Sequence, residues 1–302
     1  RGIGRSEENE ERNNMDRLTF FGQGIPGIDP QQLKGKLIVI EGADGVGRST
    51  QISLLKQWLE TKGHAVLATR MTRSALAGKG LREAKKGTTL GRVTMALFYA
   101  TDFADRLEHE IIPALKAGFI VLTDRCIYSL IARALVRGID PDWIREVYGF
   151  ALKPDRIFYL RAGVDDLITR VLQEEGFDYW ESGMDLHLGD DMYDSFVAYQ
   201  NRMMAQFDKM VGDYGFRVID ASRSIDEVFA DLKAHVSEVL TPARPLPSDL
   251  LGRLKQIRNG YTTRDSLRAE SLENNSRDVN GDPSGEAIFE PLRDKIRPVL
   301  RR

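Results

Sequence analysis

The sequence predicts an α/β fold: a five-stranded parallel sheet with helices on both faces, followed by a C-terminal extension. Three observations predict it. Short apolar runs rich in β-branched residues alternate with stretches of helical period. A glycine-rich turn joins the first run to the first helix, and the third run ends on an acid and an arginine. Alternation of this kind implies right-handed crossovers and a sheet covered on both sides, with ligands at the carboxyl ends of the strands.

The first strand is KLIVIE, from Lys36, a continuous apolar run of the kind buried on both faces. After the glycine turn, Ile52, Leu55 and Leu59 recur at helical spacing beside Trp58, and Gly63 supplies a stop. AVLAT (65–69) is the second strand, 90–117 a long helical stretch, and FIVLTD (119–124) the third strand. Helices near 127–137 and 141–152 lead to RIFYL (156–160), and a further helix follows Asp165. A polar stretch, 176–191, precedes a long helix (192–213), the strand FRVID (216–220) and a last helix from 225 to 240.

Three regions follow. Residues 1–35 form a charged, partly disordered N-terminal arm: 1–16 bury too little to offset chain entropy, whereas LTFFGQGIPGIDP (18–30) packs irregularly on the domain after it. Residues 36–240 are the α/β domain. TPARPLP (241–247), with three prolines in seven residues, opens a linker and a largely disordered tail with short helices, expected to dock on its own domain, with a partner as the alternative.

Lys and Arg number 43 and Asp and Glu 45, a net charge of −2, so no chain-wide basic field draws this protein onto nucleic acid. The single cysteine, Cys126, excludes an intrachain disulfide framework and a cysteine zinc site, and makes a reducing, cytoplasmic setting the default expectation. No apolar run approaches the roughly 20 residues that cross a bilayer, and the opening RSEENEER is charged rather than signal-like. The chain opens on Arg1; a start upstream and an internal start at Met15 both fit that.

The glycine turn carries the chemistry. In EGADGVGRST, Gly42, Gly47, Arg48 and Ser49 fit G-x-x-x-x-G-K-[ST] with one change, arginine for lysine. Glycines let successive N–H groups curl round phosphate oxygens, the helix N-terminus adds positive potential, and Ser49 offers a hydroxyl to magnesium. A tight strand-to-helix turn is the bland alternative. At the end of FIVLTDR, Asp124 can orient magnesium-bound water and Arg125 can grip a phosphate bidentately. Alone, such a pair is more often a surface ion pair.

From about residue 36 to 240 the chain resembles the thymidylate kinases, which transfer phosphate from MgATP to dTMP. IEGADGVGRST resembles their phosphate loop, TR at 69–70 the start of their T-R-E-P segment, and DRCIYS (124–129) their D-R-Y-x-x-S. KPDRIFYL and VIDASRSIDEV resemble later strands in the same order. The resemblance implies a P-loop kinase fold, ATP and Mg²⁺ as cofactors, a nucleoside monophosphate as substrate and, as a family habit, a homodimer. It implies that Gly42, Asp44, Gly45, Gly47, Arg48, Ser49 and Thr50 hold the donor, and that Ser49 and Asp124 organise the metal. Asp44 would meet the deoxyribose 3′-hydroxyl and Arg125 the acceptor phosphate, with Arg70 near the acceptor. Arg48, Asp124 and Arg125 would form the catalytic set.

The departures fall where chemistry is expected. Arg48 replaces a compact ammonium with a planar fork, T-R-E-P reads TRMT, and Cys126 replaces an aromatic. The base-reading arginine of F-x-A-x-R falls on Phe103 when counted from Pro113, whereas a one-turn shift brings Arg106 to that face. In the alternative, Phe98 and Phe103 are core and Asp105 and Arg106 a solvated face. The lid candidate GFDYWESGMDLHLGDD has no Lys or Arg but carries Asp178, Glu181, Asp185, Asp190 and Asp191. Arg48, Arg170 or Arg202 would then supply charge to the transferring group. Tyr179 and Trp180 are read as anchors of that loop, and His187 with its neighbouring acids is too scattered a set for a metal site. The leading function is phosphoryl transfer to dTMP. The second is a nucleotide-binding module with little catalysis that acts through a partner.

Overall fold

The computed structural model describes residues 18–71, 74, 77–87, 90–173 and 177–240, all within one compact unit, Arg1–Pro245. The opening stretch 1–16, the linker 241–247 and the tail beyond it lie outside the described residues. Five parallel strands, β1 (Lys36–Gly42), β2 (Val66–Arg70), β3 (Ile120–Asp124), β4 (Arg156–Arg161) and β5 (Arg217–Asp220), form a sheet in the order β2-β3-β1-β4-β5. The order reverses around β1, so the ends of β1 and β3 lie side by side, with Ile40 paired to Asp124. That is the switch point where such sheets hold ligands.

The near-continuous apolar strands follow from burial on both faces. On one face Ile38, Ile40, Leu122, Phe158 and Leu160 meet Ile52, Leu55 and Leu59 of α1 (Arg48–Thr61) and Val228, Leu232 and Val236 of the last helix, Ile225–Val239. On the other, Leu37, Val39, Val121, Ile157 and Tyr159 share a core with helices from residues 78–147 and 192–214.

Helix α2 (Gly78–Gly87) was not among the expected elements; it buries Leu81 and Ala84. The helical stretch expected over 90–117 is one path in three parts: α3 (Arg92–Arg106), a π turn (Leu107–Ile111) and α4 (Ile112–Lys116). Pro113 has no N–H to donate and its ring crowds the carbonyl four residues back, so the ladder widens there. Next come α5 (Ile127–Val136) and α6 (Pro141–Val147), which stops short of the expected 152. The rest are α7 (Val164–Gln173), α8 (Met192–Tyr214) and α9 (Ile225–Val239).

Residues 18–24 make backbone and ring contacts with the domain. Phe21 N–H donates to Ala151 O at 2.9 Å and Lys153 N–H to Thr19 O at 2.7 Å. The Phe21 ring meets Tyr128 of α5 and Tyr214 of α8 edge-on at 6.1 and 6.0 Å. Among the described residues no helix is long and apolar enough to cross a membrane.

Candidate active site at the carboxyl ends of the strands

The turn from β1 to α1 bends through Gly42, Gly45 and Gly47, all at positive φ. Gly47 is the N-cap of α1 and leaves the first helical N–H groups without a side-chain cap, open to an anion. At Gly45, φ is +77°, and a Cβ there would stand 2.7 Å from Val171 Cγ2 and 3.2 Å from Leu167 O of α7. Gly45→Ala is therefore expected to destabilise the fold by about 1–3 kcal/mol and to weaken nucleotide binding, as read from thermal melts with and without ATP.

Arg48 turns back into the base of this loop. Its Nη1 donates to Gly42 O at 2.7 Å and also to Ala43 O, and its Nε donates to Asp124 Oδ1 at 2.7 Å. The other Asp124 oxygen accepts from Ser49 Oγ at 3.0 Å. Burial opposes ionisation of Asp124, but Arg48, Arg125 and these hydrogen bonds outweigh it and hold the carboxyl below its ordinary range. The expected catalytic and metal-organising residues Arg48, Ser49 and Asp124 are thus one hydrogen-bonded unit.

Arg125, immediately after β3, adopts the left-handed region at φ 65°, a conformation held at a cost by its surroundings. Its N–H donates to Ile40 O at 3.0 Å, and Thr123 Oγ1 donates to its carbonyl at 2.8 Å. So fixed, its guanidinium pairs with Asp44 and lies 3.7 Å from Glu181. Two of the residues expected at the acceptor, Asp44 and Arg125, therefore touch each other. Arg70, at the end of β2, lines the same cleft of 370 Å³, with Asp44, Tyr99 and Arg125. A second cleft, of 330 Å³, runs along the loop from Asp44 to Thr50.

Phe103 is not at the site: its side chain packs in the core against Tyr148 and Phe150, at 6.3 and 5.9 Å. Arg106 is buried too, rather than solvated, with Nη2 donating to Thr123 Oγ1 at 3.3 Å and Nη1 3.9 Å from Asp102. The π turn lies between these residues and Pro113, so counting back from the proline at 3.6 residues per turn loses phase. Arg202 is exposed on α8, whereas Arg170 of α7 reaches Val46 O at 3.5 Å and Ala221 O at 3.0 Å, gripping the loop from outside.

The acidic segment is tied down rather than free. Arg137 grips Asp185 with both Nε and Nη2 at 2.9 Å, donates to the Tyr199 hydroxyl at 2.7 Å and stacks 3.7 Å over the Trp180 ring. Trp180 is an anchor, as expected. Arg133, one turn earlier on α5, binds Glu181 with both Nη atoms at 2.7 and 3.2 Å, and Lys85 of α2 reaches the same carboxylate at 2.7 Å. Burial works against the Glu181 charge, yet Arg133, Lys85 and Arg125 hold its carboxyl well below the usual range. Burial pushes Asp44 the other way, with Arg125 pulling against it and Glu181 reinforcing it.

Glu41, the last side chain of β1 before Gly42, was missed altogether. It is fully buried and accepts from Cys126 N–H at 2.7 Å, Ser129 N–H at 3.3 Å and the Ser129 hydroxyl. It thereby caps α5 from the base of the glycine loop. Its signal was a lone acid ending an apolar strand; for Arg133 and Arg137 it was one arginine inside the apolar run IYSLIARALV and a second four residues on, directly after it.

The family model for thymidylate kinase matches residues 40–232. A protein from Saccharolobus solfataricus named probable thymidylate kinase 2 is 36% identical over 211 residues, 69% of this chain and 98% of that protein. A probable thymidylate kinase of Pyrococcus horikoshii is 30% identical over 215 residues, covering 69% and 98%. A thymidylate kinase of Bifidobacterium longum is 33% identical over 219 residues, covering 68% and 100%. With that match along most of its length, and with the glycine loop, Asp124 and Arg125 assembled at the switch point, the chain belongs to the thymidylate kinase family.

Proposed function

We propose that this chain transfers a phosphoryl group from MgATP to a deoxynucleoside monophosphate, converting dTMP to dTDP in one in-line step. The observation that carries the reading is the Arg48–Asp124–Ser49 unit at the mouth of an open helix N-terminus, beside Asp44 and Arg125. The loop amides and the start of α1 receive the donor phosphates. Ser49 and Asp124 are a hydroxyl and an ionised carboxylate held together, the hard-oxygen donors that magnesium takes. Magnesium, when bound, neutralises charge on the donor phosphates.

The cations come from fixed elements. Arg48 brings its charge from α1, Arg125 from the end of β3, Lys85 from α2 and Arg133 from α5, so an acidic lid does not leave the site short of positive charge. Positioning by rigid elements is what such transfer requires, since protein groups form no covalent bond to the phosphoryl group. The relatives along the full domain are named as kinases, which favours the enzyme over the binding module. An ATP-coupled assay across dTMP, dUMP and other monophosphates is expected to show turnover fastest with dTMP. Absence of turnover with every acceptor, in folded protein that binds ATP, overturns the proposal.

A further inference from the structure

One carboxylate in the cleft faces three cations. Glu181 Oε1 accepts from Lys85 Nζ at 2.7 Å and Arg133 Nη1 at 3.2 Å, while Oε2 accepts from Arg133 Nη2 at 2.7 Å and lies 3.7 Å from Arg125 Nη1. These cations project from α2, α5 and the end of β3, three elements seated in the core. Glu181 instead rides on the segment between α7 and α8. Asp44 shares this set, pairing with Arg125 and lying 3.7 Å from Arg133, so the two carboxylates leave the three cations one charge in excess. A phosphomonoester in place of Glu181, with close to two negative charges and three acceptor oxygens, matches the set better.

The segment is pinned on either side of this residue without using its carboxylate. Trp180 is buried under Arg137, Asp185 is gripped by the same arginine, and the Glu181 carbonyl accepts from Gln200 Nε2 at 3.0 Å. The side chain can therefore leave the cage by rotation alone, with the backbone held in place.

We propose that Lys85, Arg125 and Arg133 form the anion-binding end of the acceptor cleft, that Glu181 is its internal occupant, and that the phosphate of an incoming nucleotide enters by exchange with the Glu181 carboxylate. The identity of that nucleotide rests on the acceptor reading above; the exchange itself does not. Acceptor affinity is then set by competition, lowered by the fraction of molecules in which Glu181 fills the cage.

Inorganic phosphate is the probe, titrated by calorimetry into the full chain and its variants. Glu181 and Lys85 also line the cleft along the glycine loop, so each titration is made with that loop filled by saturating ADP. Glu181→Gln, which keeps the shape and removes the charge, is expected to bind phosphate at least about 10-fold more tightly than the native chain. Adding Lys85→Met to that variant is expected to abolish the gain. Equal or weaker phosphate binding by folded Glu181→Gln overturns the proposal and leaves Glu181 a structural anchor. If phosphate affinity rises as expected while no monophosphate is turned over, the anion site stands and the kinase reading falls.

Discussion

Arg48→Ala is expected to lower kcat by about 10²- to 10³-fold, the loss typical of removing one preorganised donor from a site of developing charge. Arg48 has two duties here. Its guanidinium satisfies the carbonyls of Gly42 and Ala43, which otherwise present negative dipoles beside the phosphates, and it holds Asp124 in the position shared with Ser49. Alanine removes both and lets the Asp124 carboxyl rise toward its ordinary range, because Arg48 is the first of the groups that hold it down. The loss is expected in kcat more than in KM for ATP, since the loop amides stay. Lysine is a partial replacement: one ammonium cannot reach two carbonyls and a carboxylate with the geometry of a planar fork. Arg48→Lys is expected to fall between the native chain and Arg48→Ala in a coupled assay; equal kcat for all three variants removes Arg48 from the mechanism.

Glu41→Ala is expected to destabilise the domain by about 3–5 kcal/mol, as when one partner of a buried charged network is deleted. The variant strands the N–H groups of Cys126 and Ser129 and the Ser129 hydroxyl in a water-free site. For a domain of this size, each kcal/mol moves Tm by roughly 2–4 °C, so the drop is readable by calorimetry. A pH signature accompanies it. Burial, against the pull of Ser129, Cys126 and Arg125, raises the Glu41 carboxyl from 4.5 to about 7. Between those values the folded state binds more protons than the unfolded chain, so the stability tied to Glu41 is full below about pH 4.5 and is lost as pH rises through 7. Glu41→Gln carries no such proton, and its stability relative to the native chain is expected to rise by about 3 kcal/mol from pH 4.5 to pH 8, from 1.36 kcal/mol per pKa unit. A flat difference across that range assigns Glu41 an ordinary titration.

What was legible in the sequence was whatever depends on local pattern. The strands could be read because a doubly covered parallel strand is a run of apolar residues, and β1, β3 and β4 are such runs. The glycine loop, Asp124 and Arg125 could be read because each terminates a strand. Helix α2 was not, since glycines at 78, 80 and 87 and a lysine pair argue against a helix that packing nevertheless supports. Phe103 was placed by counting from Pro113 and Arg106 by a one-turn shift from it, and the π turn between them and the proline carries such a reading out of phase. The acids of the 176–191 segment looked repulsive because their partners, Lys85, Arg133 and Arg137, lie 48 or more residues away. Charge read along a chain is blind to charge brought together by the fold.

The left-handed backbone at Arg125 sets two selections against each other. Glycine would relax that residue, yet it would delete the guanidinium that meets Asp44 and that we propose receives the acceptor. A library of variants enriched only for heat resistance is thus drawn toward losing Arg125, whereas one enriched for turnover must keep it. The residue found at position 125 then reports which of the two selections such a library has passed.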